Sequence, residues 1–201
     1  MSMSPLVLAS QSPRRQRLLA EADLRFRIIA PAEEAEDDRR HGESVEDYVS
    51  RLARQKFAHV RDQVAADEVV LTCDTVAECC DEVLGKPRDR DHAREILQRL
   101  SGRVHRVVSG VCLSRLADGR QDVRTAESTL RMASLSERQL EDYLDTGLWE
   151  GKAGAFGFQD GIDWVELLAG EESNVVGLPM ALVKQMLAEW GLAERERGST
   201  E

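Results

Sequence analysis

Ser12-Pro13-Arg14-Arg15 is a helix start that puts two guanidinium groups where cations are least welcome. Ser12 is a natural N-cap, and Pro13 suits the first helical position, where its missing N–H costs nothing. Arg14 and Arg15 then lie in the first turn, at the positive end of the helix dipole, a placement unfavourable by up to about 1 kcal/mol that a bound anion would offset. Asp74 and Thr75 follow residues 68–73, an apolar and β-branched run that fits a strand buried on both faces. Asp74 is expected at the carboxyl end of that strand, where open α/β sheets collect ligands and where a carboxylate serves as metal ligand or general base. Clustered cations facing such an acid describe a site for a phosphorylated small molecule.

Several elements must bring these residues together. Leu6–Ala9 reads as a strand running into the Ser10-Gln11-Ser12 loop. Residues 33–40 are charge-dense and mostly acidic, a loop. Ser44 with Asp47 three positions on is a capping box, and Val45, Tyr48, Val49, Leu52, Ala53, Phe57 and Val60 follow at helical spacing. Lys56 falls inside that apolar stripe, where an ammonium needs a partner. Lys86, in Gly85-Lys86-Pro87, closes a hairpin that begins near Asp81 and Glu82.

Residues 89–100 carry Ala93, Ile96, Leu97 and Leu100 on one helical face and stop at Ser101-Gly102. Residues 104–113 and 124–132 have strand patterns, and His105 in the first of them reads as a structural or surface histidine. Ser136 and Gln139 form a second capping box before a helix through Leu144. The glycine-rich stretch from Gly151 to Gly157 permits close approach of a ligand to the main chain, yet it lacks both the P-loop order and the dinucleotide-turn spacing. Pro179 begins a last helix whose stripe of Leu182, Val183, Met186, Leu187 and Trp190 is core.

Composition limits the functions open to the chain. Its 201 residues can bury a full core, and 42% hydrophobic with 32% charged residues is ordinary for a globular protein. A net charge of −10 and 4% aromatic residues argue against a nucleic-acid-binding face. No leader pattern and no membrane-length apolar run is present, so the expectation is a cytoplasmic protein without membrane partners. Cys73, Cys79, Cys80 and Cys112 are expected to stay reduced. Residues 1–192 are expected to form one domain of two lobes around a groove, and residues 193–201, polar and aperiodic, a disordered tail.

Six motifs in series carry a family likeness: the run from Leu8 to Arg15, Asp74-Thr75-Val76, Gly85-Lys86-Pro87, Leu100-Ser101-Gly102, the run from Lys152 to Gly157, and Asn174-Val175-Val176-Gly177-Leu178-Pro179. From near Leu6 to about Trp190 the chain resembles the Maf family of nucleotide pyrophosphatases. The resemblance implies an α/β fold, a mixed twisted sheet flanked by helices with a central groove like that of inosine triphosphatases. It also implies a homodimeric, divalent-metal-dependent (Mg²⁺ or Mn²⁺) enzyme that cleaves a nucleoside triphosphate to nucleoside monophosphate and pyrophosphate.

By the motif match, Asp74 is the proton acceptor and a metal neighbour, Lys56 and Lys86 act with it on the phosphates, and Ser10 and Arg15 bind phosphate. Arg14, Thr75 and Gln159 match the positions that distinguish the dTTP/UTP branch, whereas the 7-methyl-GTP branch differs at Arg14 and Thr75. In Ala32-Glu33-Glu34-Ala35-Glu36 the second metal ligand is assigned to Glu34, with Glu36 next. The chain departs from the family pattern at Cys73 and at Phe158-Gln159-Asp160, where Asp160 stands in place of the usual glycine beside the expected base pocket, a change expected to bear on base preference. The rival implied by the family's historical septum-formation name is a non-catalytic nucleotide-binding regulator of cell division.

Overall fold

The computed structural model describes residues 6–31 and 37–192. Strand β1 (Leu6–Ala9) passes through Ser12 into α1 (Pro13–Glu21), followed by β2 (Phe26–Ile29) and the long α2 (Val45–Val60). Then come β3 (Val69–Cys79), β4 (Glu82–Leu84), α3 (Arg90–Leu100), β5 (Val104–Ser114), β6 (Gln121–Met132) and α4 (Glu137–Asp145). The last elements are β7 (Val165–Ala169), the short α5 (Glu172–Val176) and α6 (Met180–Glu189). The strands form one mixed sheet in the order β2-β1-β3-β5-β6-β7, with β4 paired to β3. Pairing of β1 with β2 and β3 is parallel, and the remaining pairs are antiparallel.

The sheet is covered on both faces. Val45, Tyr48, Val49 and Leu52 of α2 pack on Val76 and Val108. On the opposite face Leu19 of α1 and Val183, Met186 and Leu187 of α6 cover Leu71, Cys73, Val111 and Leu113. Further along that face, Ile96, Leu97 and Leu100 of α3 meet Leu140, Tyr143 and Leu144 of α4 over Ala77, Val107 and Leu130. Each helix buries the apolar stripe that its 3.6-residue period aligns.

One expectation about the sheet is corrected. Asp74 does not end a strand: β3 continues to Cys79, paired with β5 from Val70↔Ser114 to Glu78↔Arg106. What ends near Asp74 is its neighbour, because the parallel pairing of β1 with β3 stops at Leu8↔Leu71. β4 takes up the same edge of β3 only from Ala77↔Leu84. A window of β3 edge around Asp74 and Thr75 therefore lies open.

Local signals mostly translate as expected. Cys80 and Asp81 both take positive φ, +55° and +64°, and form the two-residue turn of the β3–β4 hairpin. At Ser136 and Gln139 both halves of the capping box are made. At Ser44 the hydroxyl accepts from Asp47 N at 3.0 Å and donates to the Asp47 carboxylate at 2.7 Å, so the acid is drawn to the cap's side chain instead of its main chain. Pro179 is the cap of α6, not its first residue. All four cysteines are free thiols.

Helix α2 crosses β5 at Gly110, where a Cβ would lie 2.4 Å from Val49 O and 2.5 Å from Val49 C. Backbone packs directly on backbone there, and Gly110 is also the partner of Asp74 in the register. Gly110→Ala is expected to destabilise the protein by about 1–3 kcal/mol, as overpacking does, and to slow turnover by lifting the helix that carries Lys56. Urea denaturation and initial rates check both effects together.

His105 is buried on β5, its ring edge-to-face with Phe156 at 5.6 Å between centroids. It takes the structural role. Burial pulls its pKa down to about 4, against smaller opposing contributions from Arg103 carbonyl and Glu78. The unfolded chain, with an imidazole near 6.5, therefore binds the proton more readily than the folded one. Stability is complete above about pH 6.5 and falls as the pH drops toward 4, by up to about 3 kcal/mol. Urea midpoints for wild type and His105→Leu at pH 7 and 4.5 check this: the variant should lose most of that part of the pH dependence.

Candidate active site

A cleft of about 900 Å³ opens beside the uncovered window of β3. Ser10, Arg14, Arg15, Lys56, Asp74, Thr75, Lys86 and Gln159, drawn from widely separated stretches, all line it. Neighbouring residues of a strand point to opposite faces, and Asp74 and Thr75 do so: Asp74 meets α2, and Thr75 meets α1 and the loop before α6. They share one cleft because it lies across the open edge.

On the α2 side, Lys56 Nζ is ion-paired with Asp74 Oδ1 and lies 3.4 Å from Cys73 O. Their side chains are 18% and 4% exposed, so the pair is largely withdrawn from water. This explains the lysine in an apolar stripe: α2 is amphipathic up to the sheet edge, and the ammonium is spent on the acid the sheet presents there. The second carboxylate oxygen of Asp74, Oδ2, is buried without a hydrogen-bond partner. A buried acceptor without a donor costs about 1–3 kcal/mol.

On the other side Arg15 ties the walls together. Its Nε donates to Gly177 O at 2.8 Å, Nη2 to Thr75 Oγ1 at 3.3 Å and Nη1 to Ser10 Oγ at 3.4 Å. Thr75 Oγ1 lies 2.7 Å from Ser109 Oγ on β5 and 3.2 Å from Gly177 O. Ser10 Oγ also accepts from Ser12 N at 3.1 Å. Sequence reasoning assigned Arg15, Ser10 and Thr75 to substrate and missed that they also bond one another.

Arg14, one residue earlier on the same turn, reaches across the cleft to Gly151 O at 3.0 Å. Burial lowers its pKa, Arg15 lowers it further, and Asp160 opposes them. Consecutive helical side chains diverge by about 100°, which is how one turn serves two walls. Lys86 is exposed and lines the cleft beyond the β3–β4 hairpin, while Gln159 sits on a short 3₁₀ turn, Phe158–Asp160.

Three contributors had no assigned role in the sequence reading: the Gly177 carbonyl, Ser109 and Lys152. Gly177 stands in the Asn174-to-Pro179 motif with φ +122°, a conformation that favours glycine, and this turns its carbonyl toward Arg15. Ser109 was detectable only through register, as the partner of Thr75. Lys152 is ion-paired with Asp160, both largely buried.

Glu34, the expected second metal ligand, lies outside the described residues, as do Glu33 and Glu36. Pro31 and Asp37, which flank that stretch in the chain, line the cleft. Among the described residues no three His, Cys, Asp or Glu side chains gather as a metal cage. Magnesium does not need one: it commonly takes one or two carboxylates and fills its octahedron with water and substrate phosphate. The unpartnered, hard Oδ2 of Asp74 at the cleft wall fits that mode of binding.

The chain is similar to known proteins along most of its length. The family model described as Maf-like protein matches residues 5–190. A dTTP/UTP pyrophosphatase of Rhodopirellula baltica is 45% identical over 183 residues, covering 90% of this chain and 80% of that protein. One from Clostridioides difficile is 38% identical over 186 residues, 92% of this chain and 94% of that one. Among solved structures, a HAM1 protein from Coxiella burnetii aligns over 95% of this chain and 100% of that chain, at 16% identity and a TM-score of 0.48.

Proposed function

This chain belongs to the Maf family, and from that premise we propose that its cleft hydrolyses dTTP and UTP to the nucleoside monophosphate and pyrophosphate, in keeping with the names of its relatives. The observation that carries the reading is convergence: a single cleft is lined by Arg14, Arg15, Lys56 and Lys86 together with Asp74 in a protein of net charge −10. A net charge of that sign disfavours a triphosphate overall, so local cations must do the binding.

Cleavage of a phosphoanhydride spreads negative charge over the phosphoryl oxygens, and positioned cations stabilise it. Lys86, Arg15 and Ser10 hold the phosphate chain, with Arg15 kept in place by Gly177 and Thr75. Lys56 holds the Asp74 carboxylate through their ion pair and adjoins the reacting phosphate, and Asp74 takes the proton of the attacking water. A divalent cation, Mg²⁺ or Mn²⁺, would be held by Asp74 and Glu34 and would supply Lewis-acid charge to the phosphates. Arg14, Thr75 and Gln159 select the base.

The family likeness also supports a cytoplasmic homodimer, which light scattering tests as a mass near twice 22.5 kDa. Among the described residues no helix is long and apolar enough to cross a membrane. The functional test is a substrate panel with added Mg²⁺: UTP and dTTP should turn over well ahead of CTP and 7-methyl-GTP. Preference for 7-methyl-GTP, or nucleotide binding without turnover of any triphosphate, would overturn the reading.

A further inference from the structure

In the cleft wall the largely buried Lys152–Asp160 ion pair, with side chains 11% and 8% exposed, joins two peptide segments. Lys152 directly follows Gly151, whose carbonyl holds Arg14 at 3.0 Å. Asp160 directly follows Gln159, and its N–H closes the turn on Gly157 O at 3.0 Å. The main chain of Gly157 lies against the pair, since a Cβ there would fall 2.2 Å from Asp160 Oδ2 and 2.5 Å from Lys152 Nζ. Lys152, Gly157 and Gln159 line the cleft. The bridge thus clamps the anchor of Arg14 to the turn that presents Gln159.

Such a clamp matters for a glutamine that reads a base. Its amide is nearly symmetric in shape but opposite in hydrogen bonding at its two ends. One orientation accepts from N3–H and donates to O4 of uracil or thymine; the flipped one donates to N3 and accepts from the N4 amine of cytosine. Reading one base over the other needs that amide held one way round, which starts from a fixed backbone turn, and the charge pair braces the turn without touching the nucleotide. Asp160 is close enough for its charge to act on Arg14 and, after burial, to help push up the pKa of the Tyr143 phenol.

We propose that Asp160, through its bridge to Lys152, is a positioning residue that fixes the Gln159 turn and so sets the preference for uracil and thymine over cytosine. The inference rests on the cleft being a pyrimidine nucleotide site. It also draws the Lys152 ammonium away from the phosphates, leaving those to Arg15, Lys56 and Lys86.

The test compares kcat and KM for UTP and CTP in wild type, Asp160→Asn and the Lys152→Met/Asp160→Leu double variant. The double variant guards against misfolding, because well-packed apolar residues commonly replace a buried ion pair without loss of stability. In folded variants the UTP to CTP ratio of kcat/KM should fall about tenfold or more, chiefly through a raised KM for UTP. An unchanged ratio, or equal losses on both nucleotides, overturns the proposal. Should wild type turn over neither nucleotide, the hydrolase reading fails separately, and calorimetric affinities of the same proteins for non-hydrolysable UTP and CTP analogues decide this one: a ratio that survives in Asp160→Asn overturns it, and a collapsed ratio supports it.

Discussion

Asp74→Asn is expected to lower UTP turnover by roughly 10²–10⁴-fold, the range that general-base removal typically gives, while the protein stays folded. Asparagine keeps the size of the side chain and still offers Lys56 an oxygen to bond, so the contact that positions α2 survives. The loss is the negative charge: the amide cannot take a proton from water, and a neutral oxygen replaces the unpartnered Oδ2 offered to a cation. KM for UTP should change far less than kcat. Wild-type turnover in the folded variant would remove Asp74 from the chemistry.

Lys56→Met should harm both function and stability. Methionine fills the apolar stripe of α2 well, but it leaves the Asp74 carboxylate, with a side chain only 4% exposed, without its counter-charge. Removing one partner of a buried ion pair costs about 3–5 kcal/mol. Losing a fixed positive charge beside developing phosphoryl charge costs turnover about 10²–10³-fold. Thermal melts and steady-state rates should therefore fall together. A variant that melts lower yet keeps its rate would make Lys56 a structural counter-ion only.

Much of the site was legible because its residues break local rules. Arg14 and Arg15 sit at the wrong end of a helix dipole, and Lys56 sits inside an apolar stripe; each anomaly is resolved within the cleft or by Asp74. The position of Asp74 along its strand was misplaced, and the opening beside it was not legible. Val76, Ala77 and Cys79 continue a strand pattern beyond it, and what stops nearby is the parallel partner β1, a long-range pairing that residues 68–79 do not encode.

Short or exposed elements were missed for related reasons. β2 (Phe26–Ile29) has Ile28 47% exposed and is an edge strand held by backbone pairing, and α5 spans a single turn too brief for a period. The close approach of α2 at Gly110 and the Lys152–Asp160 bridge depend on three-dimensional packing. Asp160 was noticed as a departure from a pattern that bears on base preference, and the structure gives that departure a partner.

The most direct measurement of the central claim is phosphorus NMR of UTP incubated with the protein and Mg²⁺. The account predicts UMP and pyrophosphate appearing in equal amounts, and no such signals with Asp74→Asn over the same time. UDP with orthophosphate would mean the wrong bond is broken, and unaltered UTP would mean that the cleft binds nucleotide without acting on it.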